Sequence, residues 1–247
     1  MEYSEHVETI EPNVTLLADA AQRAGVDAPV PTCPGWVVGD LLTHLGRVHR
    51  WVTDIVRSRA TEMTERPAGD PPDGPDRIRW VVDGAGALAD ALRATEPDTP
   101  MWAFGEPPSA RFWARRQAHE LAMHRVDAEL AAGAATPIES AFAADGIDEF
   151  LMLLQLVSRR GDRHRGITGS GETIHVHCTD VDGEWLVRLE PDVPVVTREH
   201  AKGDVAVRGS ASDLLLLLSG RLTRDAPNFE VFGDATLLDR WRSEVRF

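Results

Sequence analysis

The spacing of apolar residues changes once along this chain, and that change limits what the chain can fold into. Up to about Arg160 apolar side chains recur every three or four positions, as on a helix lying against a core. Beyond Gly161 they recur every second position, as on a strand with one covered face. The first helical stripe, Val7, Ile10, Val14, Leu17, Ala18, Ala21 and Ala24, ends at Gly25, and Pro12 is expected to kink it or break it near its start. A loop from Val26 to Trp36, punctuated by Pro29, Pro31, Pro34 and Gly35, leads into a second helix over Val37–Ser58. Its apolar face carries Leu41, Leu45, Val48, Val52 and Ile55, with His44 beside it. A loop rich in Pro, Gly and acidic residues over about 61–75 precedes a third helix over Asp76–Ala94. After a break at Pro97–Pro108, the stretch Arg115–Leu130 has no Gly or Pro and consists mainly of strong helix formers, with Gly133 as its stop. Four helices joined by loops predict a helical bundle over residues 1–135.

Pro137 opens a second region, residues 136–247, whose first element is a helix over Ile138–Arg160. The segments Thr173–Cys178, Glu184–Leu189 and Gly203–Arg208 alternate as strands, and Asp182-Gly183 is a hairpin turn between the first two. Ser210 to Asp213 cap a short helix through Leu218, Phe229–Phe232 reads as a last strand, and a helix follows from Asp234 to about Arg242. The fold class is therefore α+β, a four-helix bundle followed by a small α+β domain with an antiparallel sheet.

Charge narrows the partners. Forty acidic against 26 basic residues give a net charge of −14 and a pI near 5.0, which argues against nucleic acid and anionic membrane surfaces. The longest apolar run, Leu214–Leu218, is too short to span a bilayer, and the acidic start Met1–Glu5 leads into no signal-type core. Cys33 and Cys178 lie far apart without metal-type spacing, so a reducing, cytoplasmic location is the expectation, with a monomer as the expected state.

On the fourth helix Glu120 and His124 are four residues apart and share a face, with Asp127 one turn further on. A carboxylate and an imidazole so placed can grip one ion, and they can equally form a hydrogen bond in a core. His119 and His124 are five apart and point in different directions, so the His-Glu-x-x-His pattern of zinc proteases is absent. Asp127 either orients the His124 imidazole or pairs with Arg116 or Arg125. His49 and His119 read as packing or surface residues, and Cys33 as a small buried side chain. Trp36 and Trp51 are expected in the core, while Trp102, Phe104 and Trp113 are candidates to wall a pocket. His175 and His177 share one face of a strand with no third ligand evident, which predicts a solvated sheet face.

Thr32-Cys33-Pro34-Gly35-Trp36, Asp40-Leu41-Leu42-Thr43-His44-Leu45 and Arg116-Gln117-Ala118-His119-Glu120, followed by His124-Arg125 and Asp127-Ala128, together resemble the mycothiol-dependent maleylpyruvate isomerase family. The bundle resembles its DinB-like metal-binding domain. Val207–Leu215, Gly220-Arg221 and Val231–Asp234 look like its second domain, so the resemblance spans nearly the whole chain. It implies zinc held by His44, Glu120 and His124, mycothiol as thiol cosubstrate, and a basic residue, Arg221, that recognises substrate carboxylates across an interdomain cleft. A helix-end cation is the plainer role for Arg221.

Three ligands of imidazole and carboxylate type leave a divalent ion an open position, and a thiol entering it becomes a thiolate. In the family's reaction that thiolate adds to the cis double bond of maleylpyruvate, rotation follows, and expulsion of the thiol leaves the trans isomer. The same site also suits S-transfer to an electrophile, hydrolysis by a metal-bound water, or a non-catalytic sensor or interaction module.

Overall fold

The computed structural model describes residues 1–65, 71–159 and 166–245; parts of the expected 61–75 loop, and the expected helix end at Arg160 and Gly161, lie outside them. By its internal packing the chain divides into two compact units, Met1–Thr136 and Pro137–Phe247.

The first unit is built from α1 (Tyr3–Ala24), α2 (Val38–Ser58), α3 (Asp76–Arg93) and α4 (Ala110–Ala131). The break expected near Pro12 is not there, and α1 runs through it. The carbonyl that Pro12 leaves without a helical donor belongs to Glu8, which is exposed. The apolar stripes close on one another: Ile10, Leu17, Leu41, Leu42, Leu45, Ile55, Leu88, Leu92 and Leu121 are all fully buried. Each such side chain removed from water contributes roughly 1.5–3 kcal/mol. Two polar devices fix the element ends. The Asp40 carboxylate accepts the Val37 N–H at 3.0 Å at the start of α2, and Tyr3 donates to the Leu92 carbonyl at 2.7 Å, tying α1 to the end of α3.

Helices α2 and α3 meet at Gly46, where a Cβ would fall 2.0 Å from the Trp80 ring. Arg50, one turn on, lies over that ring at 4.1 Å from its centroid and donates to the Gly46 carbonyl at 3.0 Å and the Trp80 carbonyl at 2.9 Å. Trp51, Trp102, Phe104, Phe112 and Trp113 form a cluster with centroids 4.9–5.9 Å apart. Trp113 is fully buried within it. These aromatics pack on each other, where Trp102, Phe104 and Trp113 had been expected to wall a pocket.

The second unit contains α5 (Ser140–Arg159), β1 (Thr173–Cys178), β2 (Glu184–Arg188), β3 (Val195–Thr197), β4 (Val205–Gly209), α6 (Ala211–Leu218), β5 (Glu230–Gly233) and α7 (Thr236–Glu244). Its five strands form one sheet in the order β3-β2-β1-β4-β5. A loop over residues 179–183 joins β1 and β2, closed by Cys178 N–H to the Gly183 carbonyl at 2.9 Å, in place of the tight Asp182-Gly183 turn expected; neither residue takes the positive φ that such a turn requires. Every neighbouring pair is antiparallel except β1 with β4, which is parallel. The reason is topological. Strand β3 pairs on the outer side of β2 and runs with β1, which leaves the chain at the far end of the sheet, and the connection over residues 198–204 carries it back to the end where β1 starts before it enters β4. The three-residue β3 was not expected, being too short to show a period.

Ile174, Val176 and Cys178 of β1, Trp185 and Val187 of β2, and Val205 and Val207 of β4 are buried on one sheet face. Trp185 Nε1 donates from that face to Asp148 of α5 at 2.6 Å. The Asp213 N–H reaches the Ser210 hydroxyl at the start of α6 at 3.1 Å, as the sequence predicts. That helix ends in a Schellman arrangement, with Arg221 N–H to the Leu216 carbonyl at 2.7 Å and Gly220 N–H to the Leu217 carbonyl at 3.1 Å. Among the described residues no helix is long and apolar enough to cross a membrane.

Candidate metal centre

His44 projects from α2 at the edge of its apolar face, and Glu120 and His124 project from one face of α4. The bundle brings the three together. His44 Nε2 lies 2.9 Å from Glu120 Oε1, and His124 Nε2 lies 3.6 Å from the same oxygen. One ligand atom from each falls within 4.8 Å of the others. The side chains are partly covered, with exposures of 29% for His44, 23% for Glu120 and 14% for His124. They stand at the rim of the core, open to a small ligand.

The surrounding groups set their charge. Burial pushes the Glu120 carboxyl up, but the Arg116 guanidinium, 2.6 Å from Oε2, and hydrogen bonds from His124 and His44 hold it well below its usual range. Burial favours neutral His124; its hydrogen bonds to Asp127 and Glu120 outweigh that and push the imidazole up to about 9. His124 Nδ1 meets Asp127 Oδ2 at 2.9 Å, and Asp127 is fully buried. The alternative partners expected for this carboxylate are engaged elsewhere: Arg116 reaches Glu120, and Arg125 donates to Glu129 at 2.8 Å.

The loop before α2 completes the surroundings, which the sequence reading did not foresee. Val30 N–H to the Trp36 carbonyl at 2.9 Å and Trp36 N–H to the Cys33 carbonyl at 3.0 Å fold it tightly. Thr32 Oγ1 then donates to Asp127 Oδ1 at 2.5 Å, and Cys33 Sγ lies 3.7 Å from Asp127 Oδ2. Cys33 is half-buried beside His124 and Asp127, where a buried packing role had been expected. Trp36 lies nearly parallel to the His124 ring, 20° off at 6.5 Å, and 5.5 Å from the His44 ring. It flanks the site. The only sequence signal for these roles is the Thr32–Trp36 run just ahead of the His44 helix.

His49 is fully buried, and His119 is buried with its ring 5.8 Å from that of His6, both in packing positions. Arg221 belongs to the second unit, where its guanidinium donates to the Ser219 carbonyl at 2.9 Å beside the end of α6. His175 and His177 are not on a plain solvated face: Glu184 and His200 join them in a four-residue cluster. The two added members come from other segments, so strand alternation could not reveal them.

Three groups, two imidazoles and a carboxylate kept ionised, with Asp127 behind one imidazole, suit a divalent ion with a coordination position left for another ligand. Residues 8–129 match the model of the mycothiol maleylpyruvate isomerase N-terminal domain, and residues 141–240 match that of the MDMPI C-terminal domain. No curated protein sequence matches the chain. Among solved structures it is similar to that of the mycothiol-dependent maleylpyruvate isomerase, at 15% identity and TM-score 0.62, over 94% of this chain and 93% of that one. A histidine-to-alanine mutant of the mycothiol-dependent maleylpyruvate isomerase superposes with TM-score 0.63 at the same identity and coverage. At that identity the structural likeness speaks for the fold; the two domain matches, in order and over most of the sequence, speak for descent. The chain belongs to the mycothiol-dependent maleylpyruvate isomerase family, a family of enzymes.

Proposed function

We propose that this protein is a zinc-containing enzyme that uses mycothiol to isomerise the cis double bond of maleylpyruvate or a related unsaturated acid. The observation that carries this reading is the convergence of His44 Nε2, Glu120 Oε1 and His124 Nε2, in a chain that matches the family's domains in both units. These residues would hold the ion. When bound, zinc supplies the positive charge that lowers the pKa of a coordinated thiol. Asp127 accepts from His124 Nδ1–H and so makes Nε2 the nitrogen that faces Glu120 and His44, where a bound ion would take the place of its proton. Arg116 engages Glu120 Oε2 and leaves Oε1 turned towards both imidazoles. Trp36 gives the site an apolar flank that limits water around a thiolate.

Arg221 is the proposed partner for a substrate carboxylate, a task suited to a planar guanidinium. The match of residues 141–240 to the family's second domain supports it. Both cysteines are free thiols, in keeping with a reducing cytoplasmic setting.

The deciding experiment measures zinc content and mycothiol-dependent turnover of maleylpyruvate together, for the parent and for His44→Ala and His124→Ala. The reading expects turnover only with the thiol present, and loss of both turnover and this zinc in each variant. Turnover without thiol, or variants that keep full activity, would overturn it. Arg221→Lys should raise KM more than it lowers kcat if the guanidinium binds substrate.

A further inference from the structure

We propose that His175, His177, Glu184 and His200 form a second zinc site, within the second unit and sharing no residue with the His44–Glu120–His124 centre. Strand alternation puts His175 and His177 on the sheet face opposite Ile174 and Val176. The β1–β2 register sets Glu184 directly across from His177, on the same face. His200 arrives from the segment after β3. That segment returns across β1 at Gly203, where a Cβ would come within 2.9 Å of the His175 backbone nitrogen, so only glycine lets it lie this close.

Glu184 Oε1 lies 2.6 Å from His177 Nδ1, and Oε2 lies 2.6 Å from His200 Nδ1. His175 Nε2 is the third arm, 3.4 Å from Oε2. The rings meet edge to face at 66–90° with centroids 5.6–6.4 Å apart, an arrangement that turns nitrogens inward. One ligand atom from each of the four residues falls within 4.8 Å of the rest.

A hydrogen-bonded cluster does not account for all of this. The two carboxylate oxygens are taken at short range by His177 and His200, while His175, only 6% exposed, has a buried Nε2 whose 3.4 Å contact with Glu184 Oε2 is too long and too poorly aligned to satisfy it. Native proteins seldom leave such an atom unsatisfied. A cation among the four would accept a lone pair from each imidazole and from the carboxylate, and so satisfy the orphaned nitrogen. Three imidazoles and one carboxylate match a tetrahedral zinc set, and with four protein ligands no position is left for a substrate. The role that follows is structural: zinc would pin the segment bearing His200 onto β1 and β2.

The test uses the full-length chain carrying His44→Ala and His124→Ala, which removes the first proposed site. After chelation and dialysis against zinc, one zinc per chain is expected to remain, with a rise in Tm on its addition. Adding His177→Asn or Glu184→Gln should weaken binding at least tenfold. His200→Ala alters a side chain that is 80% exposed, so it tests the site without threatening the fold. Cobalt in place of zinc should show the intense visible bands of a tetrahedral site, diminished in each variant. Failure of the double variant to bind zinc, or binding indifferent to His177→Asn and His200→Ala, would overturn the proposal. A parent with one zinc, lost only on His44→Ala, would sink this site and leave the first; one zinc lost only on His177→Asn would do the reverse.

Discussion

His124 Nδ1 and Asp127 Oδ2 lie 2.9 Å apart one turn along α4, with the carboxylate fully buried behind the ring. This fixes which imidazole nitrogen faces Glu120 and His44. Asp127→Asn keeps the shape and removes the charge, so the ring is oriented less firmly and becomes a poorer ligand. Zinc affinity, read by competition with a chromophoric chelator, should fall about 10- to 100-fold. Unchanged affinity would show that the pair plays no part in ligand orientation.

The chain's one tyrosine, Tyr3, gives a clean optical probe. Burial pushes its phenol up from 10.0 to about 12, and its hydroxyl donates to the Leu92 carbonyl at 2.7 Å. A phenol with a raised folded-state pKa contributes stability that is complete below the unfolded value and is lost as pH rises through the folded one. Tyrosinate absorbance should therefore be absent at pH 10.5 in the native protein and appear towards pH 12 or on adding denaturant. Ordinary titration near pH 10 would show that α1 is not docked on α3 in this way.

His49 works in the opposite direction. Fully buried, it is pushed down from 6.5 to about 4, chiefly by loss of solvent. The unfolded chain takes up this proton first, so the contribution is complete above about pH 6.5 and is lost as pH falls towards 4. A shift of that size corresponds to roughly 3 kcal/mol at most. His49→Met should flatten the drop in the urea midpoint between pH 7 and pH 4.5; an equally steep drop would assign the acid sensitivity elsewhere.

At the contact of α2 with α3, Gly46→Ala places a methyl group 2.0 Å from the Trp80 ring, which cannot stay where it is. Moving the ring also disturbs the Arg50 guanidinium stacked on it at 4.1 Å. We expect a loss of about 1–3 kcal/mol in denaturant unfolding. The compensating pair Gly46→Ala with Trp80→Leu should recover part of it.

The helices, the main strands, the hairpin of β1 with β2 and the Ser210 cap could be read from the sequence, because period and capping are properties of adjacent residues. The Glu120–His124 pair was legible for the same reason, being one turn apart on α4, and His44, beside the apolar face of its own helix, was expected to meet the pair inside the bundle, its ligand role being what the family resemblance implies. What the sequence by itself could not decide is everything set by long-range closure. His44 meets Glu120 across 76 positions, and Thr32 meets Asp127 across 95. The parallel pairing of β1 with β4 depends on the connection after β3 crossing back to the end where β1 starts, and the gathering of Glu184 and His200 about His175 depends on strand register and on that same returning segment. Local periodicity says which face a side chain occupies; only the packed tertiary structure says which other face it meets.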